Sequence, residues 1–146
     1  MRYAERFALV RAHFRAIKPY RARISRLAVE RLAEFSPQTR ALALGGGVLW
    51  AERFADALRS AVYGTRRLDD LEDSLLAMGA QHAAMGLGPE VYPALRHAVL
   101  RSLAETLGDS LNEPIRESWD AFLLCAVGML TRGNAGAEPR AAARAA

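Results

Sequence analysis

The chain contains one cysteine, almost no lysine and no long uninterrupted hydrophobic run. A lone cysteine excludes an internal disulfide and any metal site built from several thiolates. Because apolar residues nowhere run for about 18 positions, the sequence predicts no membrane-spanning helix. The first segment, MRYAERFALV, is charged throughout and lacks the apolar core of a signal peptide. We therefore expect a cytoplasmic protein that does not associate with a membrane.

The positive charge is carried by arginine, with a formal net charge of +4 and an isoelectric point near 9.8. This balance allows weak attraction to nucleic acid or anionic lipid. The arginines are spread among acidic residues, however, and no known nucleic-acid-binding motif accompanies them. We expect a solvated surface and no specific nucleic-acid partner.

Apolar residues recur at helical spacing, and no segment alternates in the way a strand does. A length of 146 residues suits one domain. The pattern predicts an all-α domain of about six main helices and a short third helical turn that opens at Ser36 and Pro37. The predicted corners and helix starts lie at Pro19, Gly45-Gly46-Gly47, Gly64, Gly86-Leu87-Gly88, Pro89, Gly108 and Asn112.

The C-terminal segment RGNAGAEPRAAARAA has no large apolar side chain. Burying such a segment would not offset the entropy lost on ordering it. We therefore predict one domain over residues 1–132 and a disordered tail rich in alanine and arginine over residues 133–146.

His82 interrupts an apolar stripe in the segment MGAQHAAMGLGPEVYP, which covers residues 78–93. Leu71, Leu75 and Met78 recur at steps of four and three, and His82 continues the series, so its ring is predicted to point inward. On this ground alone the favoured interpretation is a core histidine bonded to backbone carbonyls, because an unsatisfied buried polar group costs about 1–3 kcal/mol. His13 and His97 lie off the inward stripes and are predicted to be surface residues.

A resemblance changes the interpretation of His82. The stretch MGAQHAAMGLGPEVYPALRHAVLRSLAETLGD, followed by IRESWDAFLLCAVGML, resembles the proximal half of globins, particularly bacterial single-domain globins. It implies a globin fold with a haem pocket between the Trp50 helix and the His82 helix. It also implies haem b as cofactor and His82 as the iron ligand, with the second ring nitrogen donating to a carbonyl or carboxylate. The residues implied to line the proximal side and the haem edge are Met78, Leu87, Val91, Tyr92, Leu95 and Leu123, with the Tyr92 hydroxyl near the histidine.

The distal half departs from the family pattern. The position that usually holds histidine or glutamine falls on Trp50, and a position that often holds tyrosine or leucine falls on Val29. Phe54 would lie over the sixth coordination site, and Arg53 falls where many globins bind a haem propionate, although it could equally point only at water. The phenylalanine that normally wedges the haem falls on Ala43, and either Trp50 or Phe54 could replace it.

These residues favour a protein that reversibly binds or senses O2, NO or CO at a five-coordinate iron in a largely apolar pocket. A hydrogen bond to bound O2 is worth about 1.5–3 kcal/mol, and Trp50 is the one candidate donor. The alternatives are a haem-free globin-fold module for regulation or interaction, and a haem enzyme such as a peroxidase or NO scavenger. Flavohaemoglobins place a glutamate of the last helix against the proximal histidine, and in this sequence that position falls near Asn134. Because this glutamate is missing, we assign no enzyme activity. The resemblance leaves open a homodimer and a separate reductase.

Overall fold

Helices make up the regular structure of the chain. The computed structural model describes residues 1–44 and 47–145, and side chains outside 41–47 and 138–146. Within these residues there are seven α-helices, two short 3-10 turns and no strand, which confirms the predicted all-α class. No described helix combines the length and hydropathy needed to cross a bilayer. The helices are α1 (Tyr3–Ala16), α2 (Arg21–Phe35), α3 (Pro37–Leu44), α4 (Gly47–Gly64), α5 (Leu68–Ala84), α6 (Val91–Leu107) and α7 (Glu113–Ala145).

Most helix ends coincide with the predicted signals. At the start of α7, the side-chain oxygen of Asn112 accepts the N–H of Ile115 at 3.1 Å, as an N-cap residue does. Gly108 ends α6 with a φ of +54°, a backbone conformation that favours glycine. One boundary differs, because α6 begins at Val91 and Pro89 lies in the turn before it.

An aromatic cluster fills one end of the core. Trp119 is 0% exposed and packs edge-on against Phe122 at 5.8 Å and Phe14 at 6.3 Å between ring centroids. Its indole N–H donates to Nδ1 of His13 at 2.9 Å. His13 is therefore half-buried, and its prediction as a surface residue is wrong, because a buried indole N–H needs an acceptor. His97 is exposed, as predicted.

Helices α5 and α7 approach each other through two glycines. A Cβ added to Gly79 would overlap the carbonyl oxygen of Leu130, and one added to Gly133 would overlap the carbonyl oxygen of Leu76. Both obstacles are backbone atoms, which cannot turn aside as a side chain can. The two helices thus pack backbone against backbone at these points.

The last helix extends beyond the predicted end of the domain. It continues to Ala145, and Asn134, which belongs to the predicted tail, is 0% exposed. The domain boundary at residue 132 stays a prediction, and α7 runs through it. Counting only large apolar side chains missed the backbone contact made by Gly133 and the high helix propensity of alanine.

We expect Gly79→Ala to destabilise the protein by about 1–3 kcal/mol, because the added methyl group overpacks the contact between α5 and α7. Gly128→Ala in α7 is the matched control, since a Cβ there meets nothing within 4 Å. That control should raise stability by about 0.5–1 kcal/mol through helix propensity. Urea unfolding of both variants makes the test, and equal effects at the two positions would contradict the packing described.

Candidate functional site

A cavity of about 390 Å³ lies between α2, α4, α5, α6 and α7. Its volume falls within the range of about 300–1,000 Å³ that is usual for ligand and cofactor sites, and its walls are mostly hydrophobic. The fold brings every residue predicted for the haem site to this one cavity. They are Val29, Trp50, Arg53, Phe54, Met78, His82, Leu87, Val91, Tyr92, Leu95 and Leu123.

Helix α4 forms the wall opposite α5. Trp50 and Phe54 line the cavity from α4, and the guanidinium of Arg53 lies over the Trp50 ring, 5.3 Å from its centroid. Arg53 is exposed, which places it at the mouth of the cavity. Glu52 is also exposed and does not line the cavity.

The side chain of Ala43 and the glycines Gly45 and Gly46 lie outside the described residues. The expectation that Ala43 replaces a wedging phenylalanine therefore stays a prediction. Trp50 and Phe54, the two aromatic residues proposed to take over that wedge, both reach the cavity wall.

His82 lies near the end of α5, half-buried, with Nδ1 2.9 Å from the hydroxyl oxygen of Tyr92. The resemblance implied a carbonyl or carboxylate as the partner of the second ring nitrogen and placed the Tyr92 hydroxyl near the histidine. In the structure this hydroxyl is the partner of Nδ1. Nε2 has no hydrogen-bond partner among the described residues, and His82 lines the cavity. Burial lowers the pKa of His82, and burial also raises the pKa of Tyr92. The ring is therefore neutral near pH 7, as a metal ligand must be.

Asn134 is a further polar residue of the site, and no role was predicted for it from the sequence. Its Nδ2, which has two hydrogens to donate, lies 2.8 Å from the carbonyl oxygen of Leu87, 3.3 Å from that of Gly79 and 3.4 Å from the hydroxyl oxygen of Tyr92. Its Oδ1 is buried and has no partner in the described part of the chain. A signal for Asn134 existed, because it follows the inward Leu130 by one helical turn.

Two other polar residues line the cavity without having been predicted there. Thr39 is buried at the α3 end, where its hydroxyl bonds backbone carbonyls, and Gln81 is largely exposed beside His82. Neither position carries a periodicity signal in the sequence. Most of the remaining lining residues belong to inward helix faces, whereas Met85 is exposed and lies in the turn after α5.

A second cavity of about 310 Å³ lies on the other side of α4 and is lined in part by Phe14, Ala55 and Trp119. Leu58 lines both cavities. Side chains of α4 therefore line two separate spaces.

The described residues contain no group of three or more histidine, cysteine, aspartate or glutamate side chains that could hold a metal ion. Among the histidine, cysteine, aspartate and glutamate side chains of these residues, His82 alone lines the cavity, so haem, which carries nitrogen ligands of its own, fits this site. The donor set suits a metal carried by a cofactor rather than a site made by the protein alone.

Comparison with known proteins gives a consistent assignment. The model of the family described as Globin matches residues 50–130, more than half of the chain. Neuroglobin-1 of Oncorhynchus mykiss is 30% identical over 74 residues, which cover 51% of this chain and 46% of that protein. Neuroglobin of Danio rerio is 32% identical over 69 residues, 45% of this chain and 43% of that protein. The chain spans less than half the length of these relatives, and its particular likeness to bacterial globins stays a prediction.

The free energy of unfolding of the haem-free protein should decline as the pH falls below about 6.5. Burial lowers the pKa of both His82 and His13 below 6.5, so the unfolded chain takes up protons first and acid favours it. His82→Leu should remove part of this decline, measured by urea unfolding at several pH values. His97→Leu keeps both buried histidines and should keep the decline, and an unchanged decline in His82→Leu would contradict the burial of that ring.

Proposed function

Because the chain belongs to the globin family, we propose that it binds haem b through Nε2 of His82 and reversibly binds or senses a diatomic gas. The observation that best supports this proposal is one imidazole on the wall of an apolar cavity, with Nδ1 held by Tyr92 and Nε2 unbonded to protein. Bound haem would supply an iron centre able to take O2, NO or CO.

The cavity lining suits a flat, mostly apolar cofactor with charged groups at one edge. Hydrophobic side chains such as Met78, Leu95 and Leu123 line its walls. Arg53 lies at the mouth, where a guanidinium can pair with a carboxylate in a two-pronged geometry. We propose that Arg53 binds a haem propionate.

The positions of the three histidines support a five-coordinate iron. Among the described residues, His82 is the histidine that lines the cavity, whereas His13 bonds Trp119 and His97 is exposed. Trp50 and Phe54 line the opposite wall, and neither side chain offers a lone pair suited to a metal. The position opposite His82 would then be open to a gas.

The distal wall offers few hydrogen-bond donors. Trp50 carries an indole N–H, which makes it the candidate donor to bound O2. The binding of NO and CO depends less on such a bond, so the affinity for O2 relative to that for NO and CO would depend on Trp50.

We expect hemin titrated into the purified protein to give an intense Soret band that saturates at one haem per chain. His82→Ala should weaken hemin binding by about tenfold or more and shift the spectrum, because the iron loses its protein ligand. His97→Ala removes an exposed histidine outside the cavity and should match the parent protein. An unchanged spectrum in His82→Ala would remove His82 as ligand, and no Soret band in the parent protein would favour the haem-free alternative.

Trp50→Phe should lower O2 affinity by about tenfold to a hundredfold while changing CO affinity little, because it removes the N–H but keeps an aromatic ring. Stopped-flow measurement of O2 and CO binding to the reduced holoprotein tests this prediction. Phe54→Leu alters the same wall without removing a donor and serves as the control. If the ratio of the O2 and CO affinities is the same in Trp50→Phe and the parent protein, Trp50 is not the donor.

A further inference from the structure

We propose that Tyr92 and Asn134 hold the proton of the neutral His82 ring on Nε2, so that metal binding at Nε2 requires the ring to change tautomer. The two residues act as positioning residues, through hydrogen bonds and not through contact with a cofactor. The proton assignment concerns the haem-free chain, and only its consequence for haem binding rests on the proposed function.

The orientation of the Asn134 amide follows from its neighbours. The carbonyl oxygens of Leu87 and Gly79 lie 2.8 Å and 3.3 Å from Nδ2, and a carbonyl can only accept a hydrogen bond. The amide nitrogen must therefore face them, because the amide oxygen in its place would repel both. The same nitrogen lies 3.4 Å from the Tyr92 hydroxyl, and an amide NH2 group cannot accept a hydrogen bond, so Asn134 offers Tyr92 no acceptor.

Among the described residues, one group can accept the hydroxyl hydrogen of Tyr92. The residue is 0% exposed, and its oxygen has two hydrogen-bond partners among the described residues, Nδ2 of Asn134 and Nδ1 of His82. Since the Asn134 amide nitrogen cannot accept it, the hydrogen of Tyr92 goes to Nδ1 of His82. Placing the ring proton on Nδ1 would leave a buried O–H without an acceptor, which disfavours that tautomer by about fivefold to more than a hundredfold.

The position of the ring proton determines whether Nε2 of His82, which faces the cavity, can bind a metal. If Nδ1 accepts from Tyr92, the single proton of the neutral ring is on Nε2, and Nε2 has no free lone pair. To bind a metal there, the ring gives up the Nε2 proton and takes one at Nδ1, with no net change in protonation. The Tyr92 oxygen then accepts from Nδ1, and its own hydrogen loses its acceptor.

Nitrogen-15 NMR of the haem-free protein at about pH 8 reads the tautomer directly, with the His82 signals assigned by their loss in His82→Ala. We expect the Nε2–H form to dominate in the parent protein. Tyr92→Phe should show both tautomers, because Nδ1 loses its donor. Tyr63→Phe, which removes a hydroxyl from a tyrosine packed against Phe14, is the matched control and should leave His82 unchanged.

Asn134 is tested with a pair of variants of similar size. Asn134→Asp offers Tyr92 an acceptor oxygen in either charge state, so the Tyr92 hydrogen should turn toward it and the His82 proton should move to Nδ1. Asn134→Leu offers no acceptor and should keep the proton on Nε2. Hemin should bind Asn134→Asp about fivefold or more tightly than Asn134→Leu.

A dominant Nδ1–H form in the parent protein would overturn the proposal, and so would identical tautomers in Asn134→Asp and Asn134→Leu. If Asn134→Asp does not fold, the parent protein and Tyr92→Phe still decide the matter. If His82 carries its proton on Nε2 but no variant binds hemin, the proton assignment stands and the proposed function fails.

Discussion

The close contact between α5 and α7 determines where the groups of the site lie. Gly79 and Gly133 let the two backbones approach to a distance that any side chain would prevent. This approach brings Asn134, the neighbour of Gly133, within hydrogen-bond distance of the Gly79 carbonyl and the Tyr92 hydroxyl. His82 lies on the same helix as Gly79, about one turn later. A single packing constraint therefore determines the positions of both His82 and the hydrogen-bonded residues Tyr92 and Asn134.

The hydrophobic surroundings give each polar group of the site a large effect. Water does not compete for the hydrogen bonds of fully buried Tyr92 and Asn134, so the direction of each bond follows from which partner can donate and which can accept. The same burial disfavours the charged form of His82 and lowers its pKa. His82 is therefore a neutral imidazole beside an apolar cavity. Its ability to bind a metal depends on which ring nitrogen carries the proton, and not on a nearby charge.

Part of this arrangement could be predicted from helical periodicity and part from the family resemblance. The apolar stripe of α5 predicted that His82 points inward, and the resemblance implied that Trp50 and Phe54 face the same pocket; all three line one cavity. Asn134 was missed although it follows the inward Leu130 by one helical turn, because the segment around it has no large apolar side chain and was predicted to be a disordered tail. The bond from Trp119 to His13 was missed because it joins residues far apart in the chain, which no local pattern encodes.

Leu58 belongs to the walls of both cavities. A change in its rotamer would therefore alter the shape of both spaces at once. The space beside His82 is in this way linked to the packing around Trp119 on the far side of α4.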